Sequence, residues 1–131
     1  MTEIDVLRIR ETKDGWPTPV EIVTVDTDSL AAAIGAEYVE VYHRKVGHGG
    51  RPYVVVCDEI GRISERFRFP TAVAVTADGT ATAAFFGDIL VCNDGDEDLA
   101  SLTAKDIAYI KESIGVYNIG GRPSLLLEVG E

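Results

Sequence analysis

The sequence predicts an α+β fold, a mostly antiparallel sheet of about five or six strands with two short helices on one face. Two observations favour this class. Short runs rich in Val and Ile alternate between apolar and polar residues, which is typical of strands, and only two segments carry helix signals. With 131 residues, of which 46% are hydrophobic and 26% charged, we expect a single domain over residues 1–131.

The N-terminal region predicts two neighbouring strands. Glu3–Glu11 is rich in β-branched residues, and Val20–Asp26 alternates clearly. Between them lie Asp14-Gly15 and two prolines, which favour a turn. We therefore expect a hairpin or an edge pair.

The next segment predicts a short helix and a second hairpin. Acidic and hydroxyl residues precede the helical run Leu30–Ile34, and Gly35 suits the left-handed conformation that ends a helix. Glu37–Lys45 then alternates, and Tyr53–Cys57 is continuously apolar. A glycine-rich loop joins these two strands.

The C-terminal half predicts further strands and the best-marked helix. Asp78-Gly79 indicates a turn between two small-residue stretches, and Phe86–Cys92 is a strand. Thr103 and Asp106 resemble a capping box. The helical face comprises Leu102, Ile107, Ile110 and Ile114, and Gly115 is expected to end the helix. The apolar tail "LLLEV" adds a strand or swaps onto a neighbour.

The net charge of −10 opposes binding to nucleic acid and to anionic lipid, since phosphate contacts need clustered Lys and Arg. The charge is uneven, because residues 42–70 hold six of the 12 basic residues. These bases either contact one anionic ligand or pair with acidic residues across strands. The candidate anion contacts are Arg44, His48, Arg51, Arg66 and Arg68.

Two motifs near these bases leave alternatives open. The "GHGGR" loop offers backbone N–H groups to an anion, but it lies between two strands, which favours a plain hairpin loop. The "RFRF" segment either stacks on single-stranded nucleic acid or forms a strand with Phe inside and Arg outside. The acidic net charge favours the strand.

The sequence predicts neither a metal site nor a cofactor. The acidic turn Asp94–Asp98 lacks the Gly and Glu positions of a calcium loop, so we expect a solvated turn that favours the following helix start. The histidines and cysteines lack the short paired spacing of zinc sites. Cys57 and Cys92 end apolar runs, which predicts buried thiols in a reducing compartment. No signal peptide or membrane-length apolar run is evident, so we expect a cytoplasmic protein.

Several pieces resemble a known family. They are "VVVCDEIGRI" with its Asp-x-x-Gly turn, Gly87-Asp88 before an apolar strand, and the "LTAKDI" helix start. Over Val20–Ser113, the chain resembles domain-of-unknown-function family 3846, small proteins of phages, plasmids and bacteria. The resemblance implies a phage or mobile-element setting and no particular activity.

The sequence favours a non-enzymatic accessory protein that acts by protein–protein contact. It contains no nucleophile elbow, Walker loop or dinucleotide loop, and no residue is a candidate for catalysis. The acidic flanks favour a partner with a basic surface, and counter-defence by DNA mimicry is the sharper form of this hypothesis. The alternative is a small-ligand or nucleotide-binding module built on the central basic segment. A homodimer formed by edge pairing is also open.

Overall fold

The computed structural model describes residues 2–10, 21–46, 53–60, 70–95, 99–119 and 122–129, with the backbone alone for residues 43–45, 116–119 and 122–124. The described elements follow in chain order: β1 Glu3–Ile9, β2 Glu21–Asp26, α1 Leu30–Ala33, β3 Val39–Val46, β4 Tyr53–Asp58, β5 Ala72–Val75, β6 Ala81–Phe85, β7 Ile89–Asp94, β8 Leu99–Ala100, α2 Ala104–Glu112, β9 Ile114–Ile119 and β10 Arg122–Glu128. The prediction of an α+β fold with two helices and a mostly antiparallel sheet is confirmed.

Among the described residues, the larger sheet has six strands, in the order β2-β1-β7-β4-β3, with β8 paired to β7. All of its pairings are antiparallel. Both predicted hairpin pairs are confirmed, since Ile4 lies opposite Val25 and Val41 lies opposite Val56. The strands β4 and β7 lie at the centre, which explains why their sequences are continuously apolar rather than alternating.

The strands on either side of the acidic segment Asp94–Asp98 pair with each other, since Asp94 of β7 lies opposite Leu99 of β8. Residues 96–98 lie outside the described residues. The chain after β8 then runs beside the start of β1, where Leu102 N–H donates to the Asp5 carbonyl at 2.8 Å and Asp5 N–H donates to Ser101 Oγ at 3.0 Å. A short strand, β8, thus lies between the acidic segment and α2, and the expected effect of this segment on the helix start stays a prediction.

The smaller sheet has four strands in the order β6-β5-β10-β9. The turn between β5 and β6 contains Gly79 at φ 86°, which confirms the predicted Asp-Gly turn. Of the two alternatives for the tail, the structure shows the added strand: β10 enters the middle of the sheet and runs parallel to β5, with Leu125 opposite Ala72. The sequence predicts one sheet, so this second sheet was not expected.

The core consists of two clusters on opposite faces of the larger sheet. Residues of one parity, such as Leu7 and Val91, pack against the smaller sheet and against Ile110 of α2. Residues of the other parity, such as Val6 and Leu90, pack against Ile34 and the α1 region. The expectation that both helices lie on one face is therefore wrong, because the buried strands need cover on both sides.

Helix α2 has the predicted capping box but an earlier end. The Thr103 side chain accepts from Asp106 N–H at 3.2 Å, and Thr103 N–H donates to Asp106 Oδ2 at 2.7 Å. The helix ends at Glu112, and Gly115 lies in β9, so the prediction that Gly115 ends the helix is wrong. Gly35, after α1, has φ 65°, as its expected role at the end of the first helix requires. In the part of the chain that is described, no helix is long and apolar enough to cross a membrane.

Candidate functional site

The predicted anion contacts are not brought together by the described residues. Arg44 lies on β3, where the backbone alone is described, and His48, Arg51, Arg66 and Arg68 lie outside the described residues. The anion site in the central basic segment therefore stays a prediction.

Both thiols are buried, as their sequence context predicts. Cys57 and Cys92 are thiols that are not joined in a disulfide, and they belong to the clusters on opposite faces of the larger sheet. Burial raises the pKa of the Cys92 thiol to about 12, so this thiol stays protonated near neutral pH. A thiolate is the reactive form, which makes Cys92 a packing residue. Among the described residues, no three His, Cys, Asp or Glu side chains are placed to hold a metal ion.

Exposed large hydrophobic side chains of the described residues lie at both edges of the larger sheet, with Ile22 at 57% on β2 and the others on or beside β3, the last strand. Those at β3 are Tyr38 at 61%, Val41 at 49% and Ile60 at 46%. They share one corner of the sheet, because Glu59 N–H donates to the Tyr38 carbonyl at 3.1 Å beside the pairing of β3 with β4. Single exposed apolar residues are ordinary, whereas neighbouring ones favour a contact surface.

Carboxylates surround these apolar side chains. Glu37, Glu40 and Glu59 are exposed, and Asp58 is half-buried. We call the following set the acidic edge: Glu37, Tyr38, Glu40, Val41, Asp58, Glu59 and Ile60. Within the described part of the chain, no basic side chain forms an ion pair with any of its four carboxylates.

The opposite edge of the sheet shows the contrast. On β2, the Glu21 carboxylate accepts from Arg10 Nε at 2.6 Å and from Arg8 Nε at 2.8 Å. These hydrogen bonds, together with the two positive charges, lower the pKa of Glu21. The carboxylate at this edge is thus neutralised within the chain, whereas the described surroundings of the acidic edge leave its charge uncompensated.

The backbone of β3 is itself a docking feature. Among the described strands, the sheet ends at β3, and every second N–H and C=O of an edge strand points away from its neighbour. Near its C-terminal end, β3 meets the other sheet through an isolated bridge between Val46 and Val129. The outward-facing stretch is therefore short and covers Val39–Val41 among the described residues.

A groove of about 330 Å³ opens beside this stretch, between β3 and β6. This volume lies near the lower end of the roughly 300–1,000 Å³ that is usual for ligand pockets. The lining residues are Glu40, Val41, Tyr42, Cys57, Asp58, Thr82, Ala83, Ala84, Phe85 and Phe86. Glu40 lies opposite Cys57, and its Oε1 is 4.0 Å from Cys57 Sγ, which places the carboxylate over the groove side of the sheet.

The inner wall of the groove is held by Tyr42. Its hydroxyl hydrogen-bonds to Thr82 Oγ1 at 2.6 Å, and its ring meets the Phe85 ring edge-on, with centroids 5.2 Å apart and planes at 78°. Edge-to-face pairs of this kind stabilise their arrangement. The two sheets are thus joined directly at the groove, whose lining includes two acidic residues, Glu40 and Asp58.

Sequence reasoning did not single out the acidic edge. The segment "EYVEVY" predicts a half-buried strand correctly, but it does not indicate that the strand lies at the end of the sheet. The available signal is the alternation of Glu and Tyr with Val, which leaves neither face of the strand wholly apolar. That pattern is more typical of an edge strand than of a central one.

Comparison with known proteins adds no relative: no protein-family model matches the chain, and neither the curated proteins nor the solved structures contain a similar protein. The resemblance to domain-of-unknown-function family 3846 therefore stays a prediction.

Proposed function

We propose that this protein is a non-enzymatic accessory protein that binds a partner protein through the acidic edge. The observation that carries the proposal is the juxtaposition of exposed Tyr38, Val41 and Ile60 with four carboxylates that lack ion pairs among the described residues. Apolar contact supplies affinity, and the carboxylates select a basic surface.

The partner class follows from the charge. A protein of net charge −10 attracts positively charged partners, and nucleic-acid-binding proteins carry the clustered Lys and Arg that the acidic edge would contact. Within this proposal, counter-defence by DNA mimicry is the sharper form, in a cytoplasmic, phage or mobile-element setting. The resemblance described above supports the phage or mobile-element setting, and the two buried thiols support a reducing, cytoplasmic one.

A binding experiment with matched charge reversals tests the proposal. Partners captured from a bacterial lysate are purified, and the dissociation constant of each is measured by calorimetry between 50 and 300 mM salt, conditions over which the screening length shrinks to about 6 Å. We expect a basic partner whose affinity falls roughly tenfold over this range and roughly tenfold again with Glu40→Lys.

The control is Glu112→Lys, which changes the net charge equally at an exposed position of α2, away from the acidic edge. We expect this variant to retain affinity to within about twofold, since it lies outside the contact. Salt-insensitive binding, or equal losses in the two variants, would contradict the proposal.

A further inference from the structure

The acidic edge combines three features that fit an extended peptide segment better than a flat protein surface. The edge has outward-facing backbone groups over Val39–Val41, an exposed Val41 side chain on one face of the strand, and a groove lined by Glu40 on the other face. Extended segments bind edge strands through backbone hydrogen bonds, and pockets for alternate side chains supply specificity. We propose that the partner contributes a basic strand, which adds to β3 and inserts an Arg or Lys side chain into the groove beside Glu40. This inference rests on the proposed function and names the mode of contact.

The groove combines apolar walls with a carboxylate, and this combination fits a long basic side chain. Phe86, Ala84 and the Tyr42 ring offer apolar surface to an aliphatic stem, while the Glu40 carboxylate meets the charged head at the mouth. The Thr82 hydroxyl lies in the same wall and bonds to Tyr42. The ion pairs among the described residues lie at Glu21. A charge-assisted hydrogen bond to Glu40 would therefore break neither of them.

The alternation of side chains along a strand allows an added strand to direct a basic side chain into the groove. Side chains at alternate positions of an added strand point to the same face of the sheet. Glu40 and Tyr42 share the groove face, and Val41 lies on the other. A segment that alternates Arg with an aliphatic residue would therefore direct its bases to the groove and its apolar side chains towards Val41.

A second copy of this chain is a poorer occupant of the same edge. Pairing of the short stretch Val39–Val41 with the same stretch of a second copy would place the two Glu40 carboxylates on adjacent strands. Like charges on adjacent strands destabilise pairing. The acidic edge thus disfavours self-association and favours a basic strand.

The test uses a defined probe, an end-capped peptide of alternating Arg and Val. Two forms are compared, one unmodified and one with N-methyl groups on alternate backbone nitrogens along a single edge. N-methylation removes the donors that pair with β3 while it keeps charge and side chains. A control isomer carries the methyl groups on the other edge.

We expect the unmodified peptide to shift the amide NMR signals of Val39–Val41 and to bind with a measurable dissociation constant. One of the two N-methylated isomers should lose at least roughly tenfold in affinity, and Glu40→Gln should lose a similar factor. Glu112→Gln, an exposed control carboxylate on α2, should bind like the unchanged protein. Circular dichroism of each variant checks that the fold is intact.

The outcomes separate the two proposals. Equal binding of both N-methylated isomers and the unmodified peptide, with loss in Glu40→Gln, would overturn strand addition and leave a charge-driven contact at the acidic edge. No binding of any peptide at 50 mM salt would also overturn strand addition, whereas the charge-reversal experiment with the captured partner decides the proposed function separately. If the β3 amides are protected from hydrogen exchange in a dimer of this protein without peptide, the occupant of the edge is a second copy, and the proposal of a basic partner strand is overturned.

Discussion

Individual charged residues on the two edges of the larger sheet have different surroundings. Glu21 on β2 is held by Arg10 and Arg8, while Glu40 on β3 lies over Cys57 at the mouth of a groove. Both carboxylates belong to edge strands, where charged side chains discourage pairing with other chains. The difference is that the charge of Glu21 is compensated by Arg8 and Arg10, which indicates a stabilising role, whereas Glu40 forms no ion pair with the basic side chains that the structure describes.

The Glu21 contacts predict a pH-dependent contribution to stability. Because its pKa is lowered in the folded state, chiefly by the hydrogen bond from Arg10, the contribution is complete above the unfolded-state pKa near 4.3. It is lost as the pH falls through the lower, folded-state pKa. We expect Glu21→Gln to melt at a lower temperature than the unchanged protein at pH 7, and the difference to shrink at strongly acid pH and in high salt.

Thermal melts of Glu21→Gln and of the control Glu112→Gln across pH 2–7 check this prediction. The control removes an exposed carboxylate of α2 that has no ion pair among the described residues. A difference that grows towards acid pH would have the wrong sign and would refute the role given to Glu21.

The Cys92 thiol is predicted to be unreactive in the folded protein. It is fully buried in the cluster beneath α1, and burial raises its pKa to about 12. In a Cys57→Ser variant, which leaves Cys92 as the remaining thiol, a disulfide reagent at pH 8 should label nothing until denaturant is added. Rapid stoichiometric labelling without denaturant would show that Cys92 is reachable and that the cluster is not closed.

At the scale of elements, α2 depends on its first turn. The reciprocal Thr103–Asp106 bonds form the capping box, and Tyr53 Oη donates to the remaining Asp106 oxygen, Oδ1, at 2.6 Å. Asp106 thus joins the helix start to β4 of the larger sheet. Since Ile110 of α2 fills the space between the sheets, the position of the helix affects the whole inner cluster.

Loss of the cap predicts a modest destabilisation. Thr103→Ala removes the side-chain acceptor for Asp106 N–H and should lower the free energy of unfolding by about 1 kcal/mol. Urea unfolding measures this as a lower midpoint with an unchanged slope. Thr2→Ala, at an exposed position outside the helices and strands, should leave the midpoint nearly unchanged. Equal midpoints for Thr103→Ala and the unchanged protein would show that the capping box contributes nothing.

The elements that the sequence predicts well are those set by local chemistry. The cap at Thr103 and the turn at Gly79 depend on neighbouring residues, so their sequence signals sufficed. The parallel pairing of β10 with β5 joins Leu125 to Ala72, and no local pattern specifies a partner so distant in the chain. The prediction that both helices lie on one face of the sheet was wrong for the same reason. The face that each helix covers depends on which sides of β4 and β7 remain uncovered by other elements.

The candidate site shows this limit most clearly. Its residues are ordinary in sequence: Glu40 and Val41 belong to an alternating strand, and Glu59 belongs to a turn. What distinguishes them is that β3 ends the described sheet, which is a property of the tertiary arrangement. The predicted anion contacts followed from charge in the sequence, but a run of bases does not determine where their side chains meet.

At the scale of the whole molecule, the acidic charge and the two-sheet architecture act together. The inner cluster joins both sheets through Leu127, Ile89 and Tyr42, so the groove beside β3 is a consequence of how the sheets meet. The net charge of −10 attracts basic partners from a distance, and the acidic edge gives them a defined place to bind. Long-range attraction and local contact thus favour the same class of partner.

Hydrogen–deuterium exchange of the protein with and without its purified partner tests the acidic edge most directly. We predict slower exchange in the complex for the amides of Val39–Val41 and unchanged exchange along β2, at the opposite edge of the sheet. Unchanged exchange along β3, together with protection at β2 or along α2, would contradict the claim that this protein meets its partner through the acidic edge.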